Sequence, residues 1–254
     1  MVGVRGIDIG AQLQFLGHCC PPDMVEKLKS SAIHKRACDD NGQPGFGPVE
    51  ADLLYAFICS HRPSVIVQIG CGVSTAVCLM AASDLAYEPE IICIEPFPTE
   101  FLLSCGRAGK IRLIREQVQE VSLDVLSSLT AGSLFFVDST HTLGPAGEVT
   151  RVILEMLPRI PKGCIAHFHD ITFPYDYGRN VLTTELFFPH ESALLHAFLT
   201  GNSNFSVLLS MSMLHYEAAQ RVRNKLPNYV PATDDFGMSV DDNHFPSSTY
   251  IVAD

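Results

Sequence analysis

Five short runs of β-branched and apolar residues, spread through the middle of the chain, constrain its fold more than any other feature. Val65 to Ile69, Ile91 to Ile94, Ile111 to Ile114, Leu134 to Val137 and Cys164 to Phe168 are mostly continuous in apolar character. Strands covered by helices on both faces read this way, whereas strands with one face in water alternate. Between the runs lie stretches with helical spacing. Val149, Val152, Ile153, Met156 and Leu157 fall at i, i+3, i+4, i+7 and i+8, with Arg151, Glu155 and Arg159 on the opposite face, and Pro158 and Gly163 bracket the end. An earlier helix opens at Gly47-Pro48, carries Val49, Leu53 and Phe57 on one side, and stops at Pro63. Strands alternating with helices predict an α/β architecture with at least five parallel strands.

After the fifth run come a polar-aromatic loop from Thr172 to Pro189 and a helix near Glu191 to Thr200. Phe205 to Leu209 and Ser248 to Val252 then read as strands with no strong helix between them, able to pair antiparallel because that pairing needs no crossover. Residues 1–46 are rich in Gly, Pro and Cys without clear periodicity and read as an N-terminal arm or lid. No internal repeat is visible.

Composition narrows the class. A chain of 254 residues, 47% hydrophobic, can bury one sizeable core. No apolar stretch approaches the ~20 residues that span a bilayer, and Met1 to Gln12 lacks the continuous apolar centre of a secretory signal. A cytoplasmic protein without a membrane partner is expected. With a net charge of −11 and no stripe of Lys and Arg, nucleic acid is not an expected partner. The nine cysteines contain no CxxC pair and read as thiols in a reducing compartment, the adjacent Cys19-Cys20 included. A small-molecule substrate is expected. The oligomeric state stays open, a homodimer being compatible with the sequence.

The chemistry begins where the first run ends. Gln68-Ile-Gly70-Cys-Gly72-Val-Ser74-Thr75 turns from a strand into a helix, the place where open α/β sheets bind ligands. The two glycines permit close backbone approach, and the helix start at Ser74 and Thr75 offers free N–H groups. Thr75 stands where a dinucleotide fingerprint has its third glycine, which disfavours pyrophosphate. Glu95-Pro96 closes the second run, where a carboxylate can accept both ribose hydroxyls. Glu116-Gln117 follows the third run, where an adenine edge would be met. At the ends of the fourth and fifth runs stand Asp138-Ser139-Thr140-His141 and His169-Asp170. Two carboxylates and two imidazoles converging on one rim make a divalent-metal or acid–base site. His167, in mid-strand, reads as a satisfied core histidine.

In this order, QIGCGVST, CIEP, FFVDSTH and HFHDI resemble the class I S-adenosylmethionine-dependent methyltransferases, and in particular a small bacterial-type branch with VDSSH-like and VHIHDI-like segments. The similarity runs from about Gly45 to Tyr216, with Ser248 to Val252 similar to that family's terminal strand. It implies a methyltransferase domain over residues 47–254 with a Rossmann-like, seven-stranded, mostly parallel sheet, its last strand antiparallel and helices on both faces. It also implies S-adenosylmethionine as cofactor. Gly70 and Gly72 would flank the methionine part near Ser74 and Thr75, Glu95 and Pro96 would hold the ribose, and Gln117, Asp138 and Ser139 would line the adenine and the sulfonium. Gln68 departs from the family pattern, which has an acidic residue there. Gln still accepts from the cofactor's amino group, but as a neutral partner.

A second resemblance concerns mechanism. Catechol and caffeoyl-CoA type O-methyltransferases hold a divalent metal on an acidic residue after the fourth strand and an Asp-Asn pair after the fifth. Asp138 and His169-Asp170 stand in matching places, and the imidazole tilts preference from Mg²⁺ toward Mn²⁺, Fe²⁺ or Zn²⁺. Methyl transfer, expected at oxygen, would then use a metal on Asp138, His169 and Asp170, or His169 or His141 as general base. The loop with Tyr175, Tyr177 and Arg179 suits an aromatic or anionic acceptor. Two other readings are open: other metal-dependent chemistry on the same fold, or a silent binding protein. Gln68 favours those alternatives, and the Asp-His cluster argues against silence.

Overall fold

The computed structural model describes residues 1–177, 188–230 and 246–254. Seven strands among them form one sheet: β1 (Val65–Ile69), β2 (Glu90–Ile94), β3 (Arg112–Ile114), β4 (Leu134–Val137), β5 (Ile165–Phe168), β6 (Phe205–Ser210) and β7 (Thr249–Ala253). Each lies within a residue of the bounds expected from the sequence. Their order is β3-β2-β1-β4-β5-β7-β6. The first five pair in parallel, and β7 is antiparallel to both β5 and β6. This is the mostly parallel sheet with a reversed last strand that the sequence predicts. Strand order changes direction between β1 and β4, so the turn after β1 and the turn after β4 open onto one crevice.

The alternating sides of the strands feed two cores. Ile66, Cys93, Leu134 and Phe136 face one, while Val67, Ile92, Phe135, Val137 and Phe168 face the other. Both faces are covered over the central strands, which is why these are mostly apolar. The first core includes the N-terminal region, which folds as α1 (Ile9–Cys19), α2 (Pro22–Ser30) and α3 (Ile33–Asn41). Leu16, Cys19, Cys20, Leu28, Ile33 and Ala37 join one buried cluster with α4 (Pro48–His61) and α5 (Val73–Asp84). Asp8 starts α1 by accepting the Ala11 N–H at 2.7 Å. All nine cysteines are free thiols. After β2, α6 (Glu100–Arg107) is capped by Thr99.

Two expectations need correction. The helix over Val149 to Leu157 is present but wound differently: α7 (Glu148–Thr150) runs into a π-helical segment, Arg151–Met156, and a 3-10 turn, Leu157–Arg159. Pro158 has no N–H for the carbonyl one turn earlier, so an α-helical ladder cannot close there. Val149, Val152, Ile153, Met156 and Leu157 are nevertheless buried, as their spacing predicts. Second, after α8 (Glu191–Leu199), a helix does separate β6 from β7: α9 (Met211–Arg223). It is broken at Ala218, where φ is −150°. Met211, Met213 and Leu214 are buried before the break and Val222 after it, so no single helical period runs through the segment. No helix among the described residues is long and apolar enough to cross a membrane.

Candidate functional site

The candidate reaction centre stands where β4 and β5 end side by side. Val137 pairs with Phe168, and the ladder continues one residue further as the His169 N–H donates to the Val137 carbonyl at 2.9 Å. The Asp138 N–H donates to the Ile69 carbonyl at 2.9 Å. Asp138 and His169 therefore leave the sheet at one level, beside the glycine turn after β1. His141 and Asp170 both hold left-handed backbone conformations, with φ of 61° and 57°. Such conformations in non-glycine residues cost about 1–3 kcal/mol and persist where surrounding contacts impose them.

These turns bring four side chains together. Ligating atoms of Asp138, His141, His169 and Asp170 all lie within 4.8 Å of one another. His169 Nδ1 is 3.2 Å from Asp138 Oδ1 and 3.5 Å from Asp170 Oδ2. His141 Nε2 is 3.5 Å from Asp138 Oδ1 and 3.3 Å from Asp170 Oδ2. The structure thus gathers the four residues picked from the sequence. Burial alone would discharge the imidazoles, but the facing carboxylates outweigh it and raise His141 to about 11 and His169 to about 10. Burial likewise works against a charged Asp138, yet His169 and His141 hold its carboxyl well below the usual range. The centre of this cluster favours positive charge, whether as imidazole protons or as a cation.

Residues the sequence did not flag hold the cluster in place. Glu191, at the start of α8 and fully buried, accepts His141 Nδ1–H at 2.7 Å and the Ser139 hydroxyl at 3.1 Å. Glu50 on α4, also buried, accepts the Ser248 hydroxyl at 2.6 Å and the Ser248 N–H at 3.2 Å. Ser247 in turn donates to Asp170 Oδ1 at 2.9 Å. Phe46 lies against the His169 ring, with centroids 4.9 Å apart. Glu50 and Glu191 are both raised above ordinary carboxylates by burial. No local motif announces these partners, because each comes from a segment distant in sequence. His167 is, as expected, a core residue: it is fully buried, bonds Ser248 Oγ at 2.8 Å and stacks on Tyr250. Burial drives its pKa well down, so the ring is neutral.

On the other side of the crevice, the residues expected to bind a nucleoside line the β1 and β2 ends. A Cβ on Gly70 would lie 1.9 Å from the Asp138 carbonyl oxygen, and φ there is 75°, so only glycine fits. At Gly72 an added Cβ would meet the Asn41 side chain at 3.2 Å. Glu95 reaches this turn, accepting the Cys71 N–H at 3.2 Å and the Phe97 N–H at 2.9 Å. Ser74 and Thr75 are buried at the start of α5, and Thr75 Oγ1 accepts the Gly72 N–H. Pro96 is half-buried, whereas Gln117 is exposed in the turn after β3. Ser139 commits its hydroxyl to Glu191. Gln68 is fully buried and donates weakly to Ser74 at 3.5 Å. A neutral amide is the less costly group in such surroundings.

Beyond Asp170, the Thr172 hydroxyl donates to the Tyr175 carbonyl at 2.9 Å and fixes a turn of aromatic residues. Tyr175 meets Tyr216 edge-on at 5.1 Å, and Tyr177 meets Phe188 edge-on at 5.9 Å. Tyr175 and Phe188 keep more than a third of their surface exposed. Arg179 lies outside the described residues.

Comparison with known proteins adds a domain likeness and the fold. Residues 67–171, less than half of the chain, match the family described as "Methyltransferase domain". That span contains all four segments on which the resemblance rests. No curated protein matches the chain. A Klebsiella pneumoniae protein assigned as an O-methyltransferase superposes with a TM-score of 0.51 at 14% identity, over 89% of this chain and 91% of that one. An S-adenosylhomocysteine-bound methyltransferase of Podospora anserina shares 16% identity over 92% of this chain and 88% of its own, at a TM-score of 0.47. The first of these likenesses shows the fold, and residues 67–171 are similar to a methyltransferase domain.

Proposed function

We propose that this chain, whose residues 67–171 match a methyltransferase domain and whose fold is shared with a methyltransferase-like structure, transfers the methyl group of S-adenosylmethionine to a hydroxyl of a small acceptor. The observation that carries this reading is the convergence of Asp138, His141, His169 and Asp170 within 4.8 Å, beside the glycine turn of a methyltransferase domain. Glu95 and the turn around Gly70 would hold the donor. The donor set fits a divalent cation, because two carboxylates and an imidazole already compensate positive charge at their centre. Asp138, His169 and Asp170 would hold it, and the imidazole favours Mn²⁺, Fe²⁺ or Zn²⁺ over Mg²⁺.

A cation held there would supply Lewis-acid polarisation of the acceptor hydroxyl. Asp138 and Asp170 now share their charge with His141. Once they are engaged elsewhere, His141 Nε2 is free to take the hydroxyl proton as general base, a contribution of roughly 10²–10⁴ in rate. The acceptor oxygen then displaces the sulfonium in line. The C–S bond breaks as the C–O bond forms, and S-adenosylhomocysteine leaves. Such a displacement needs the reacting atoms held about 3 Å apart. The exposed rings of Tyr175 and Phe188 beyond Asp170 support an aromatic acceptor, since they present flat apolar faces. The net charge of −11 supports a metabolite over nucleic acid.

The test is transfer of labelled methyl from S-adenosylmethionine to a panel of catechols and hydroxylated aromatic acids, with Mn²⁺ or with a chelator. Transfer that requires the cation and is lost in His141→Ala is expected. Binding of S-adenosylhomocysteine with no transfer to any hydroxyl acceptor would overturn the O-acceptor reading.

A further inference from the structure

The contact between Glu191 and His141 is built more firmly than a chance ion pair. Glu191 is fully buried, and its only described route to charge compensation is His141 Nδ1, at 2.7 Å. The two residues are also tied through their backbones, because the Glu191 N–H donates to the His141 carbonyl at 3.1 Å. A third link runs through Ser139, whose hydroxyl accepts the His141 N–H at 3.1 Å and donates to Glu191 Oε2 at 3.1 Å. These bonds enclose a residue whose φ of 61° is costly on its own. Glu191 therefore specifies both the backbone conformation of His141 and the direction of its ring.

Direction matters because the two ring nitrogens have different surroundings. Nδ1 faces Glu191, away from the cluster, while Nε2 faces Asp138 and Asp170 at 3.5 and 3.3 Å. An ionised Glu191 can only accept, so Nδ1, facing that carboxylate at 2.7 Å, carries a hydrogen whether the ring is neutral or charged. In the neutral ring the lone pair is then left on Nε2. A free imidazole has no such constraint, and the hydrogen bond at one nitrogen sets the role of the other.

We propose that Glu191 is the positioning residue that fixes His141 as the Nδ1–H tautomer, so that Nε2 is the atom presented to the acceptor's proton. This rests on the methyltransferase reading for what Nε2 does, but not for which nitrogen is protonated. In the transfer step the acceptor O–H bond breaks and its proton passes to Nε2. Glu191 then faces an imidazolium, whose charge it offsets. Ser139 aligns both partners through its two hydrogen bonds.

The experiment is proton and ¹⁵N NMR of the protein labelled with ¹⁵N-histidine, both metal-free, where the ring carries both hydrogens, and Zn²⁺-loaded, where Nε2 has given up its own, with His141→Gln assigning the signals. The expected result is a slowly exchanging, downfield Nδ1–H resonance from His141. It should be lost in Glu191→Ala, and kept but moved upfield in Glu191→Gln, whose carbonyl accepts more weakly. Binding of S-adenosylhomocysteine measured on the same samples should stay within about threefold of wild type, which shows that the variants are folded. A bare Nδ1 in the wild type, or a resonance unmoved by Glu191→Ala, overturns the inference. If the wild type binds no S-adenosylhomocysteine, the methyltransferase reading fails while the tautomer assignment is still read directly; loss of binding in the variants alone would show that Glu191 serves the donor site or the fold and would overturn the role given it here.

Discussion

The two sides of the crevice are made by different means. On the β1–β2 side, shape is set by backbone: a glycine at φ 75° that no other residue could replace, and a Glu95 carboxylate satisfied by the N–H groups of Cys71 and Phe97. On the β4–β5 side, the arrangement is set by charge. Four ionisable side chains meet there, and Glu191, Ser247 and, through Ser247 and Ser248, Glu50 hold them from outside. A site of backbone shape fails when atoms collide. A site of paired charges fails when one partner is removed and the others are left buried and uncompensated.

The sharpest way to break the first side is Gly70→Ala. Its methyl group would collide with the Asp138 carbonyl at the junction of the two sides. A loss of about 2–5 kcal/mol in stability is expected from overpacking and backbone strain, read by thermal or denaturant unfolding, together with loss of donor binding. Asp170→Ala should instead separate the two sides. Mn²⁺ affinity should fall about 100-fold or more, exceeding the roughly 10–100-fold typical of outer-shell changes, while S-adenosylhomocysteine affinity, followed by calorimetry, moves by less than about threefold. Ser247→Ala removes the hydrogen bond to Asp170 Oδ1 at 2.9 Å and a longer one to Glu50 Oε1 at 3.4 Å, and keeps the backbone N–H donated to Glu50. A drop in Mn²⁺ affinity of about tenfold is expected, with unfolding temperature changed little.

The smallest effect in any single step is that of pH, and its sign distinguishes the two sides. His141 and His169 are raised to about 11 and 10, above the ~6.5 of an unfolded histidine. Their contribution to the stability of the metal-free protein is complete below about pH 6.5 and is lost as pH rises toward 10–11. Cation binding must expel these protons, so Mn²⁺ affinity should increase with pH and proton release should be measurable in buffers of different ionisation enthalpy. Donor binding over the same range should be nearly flat. A cation affinity independent of pH would show that the imidazoles are not displaced as described.

The same contrast explains what could be read from the sequence. The five parallel strands were legible because continuous apolar runs report burial on both faces, and the glycine turn and Glu95 because strand ends place them. Asp138, His141, His169 and Asp170 were legible as residues because β4 and β5 are adjacent and end at one rim. Their supports were not. Glu191 lies 50 residues from His141 and Ser247 lies 77 from Asp170, so only the folded chain brings them together. The three N-terminal helices are short and carry no sustained period, and α9 is interrupted at Ala218, so pattern alone missed all four. The π-helical turn before Pro158 kept the expected burial while departing from the expected winding.

The most direct test of the central claim is calorimetric titration of S-adenosylhomocysteine into the metal-stripped protein, its Glu95→Ala variant and its Asp170→Ala variant. The account predicts a dissociation constant of about 10 μM or tighter for the wild type and Asp170→Ala, and loss of binding in Glu95→Ala with the fold intact by circular dichroism. No binding by the wild type, with or without Mn²⁺, would contradict it.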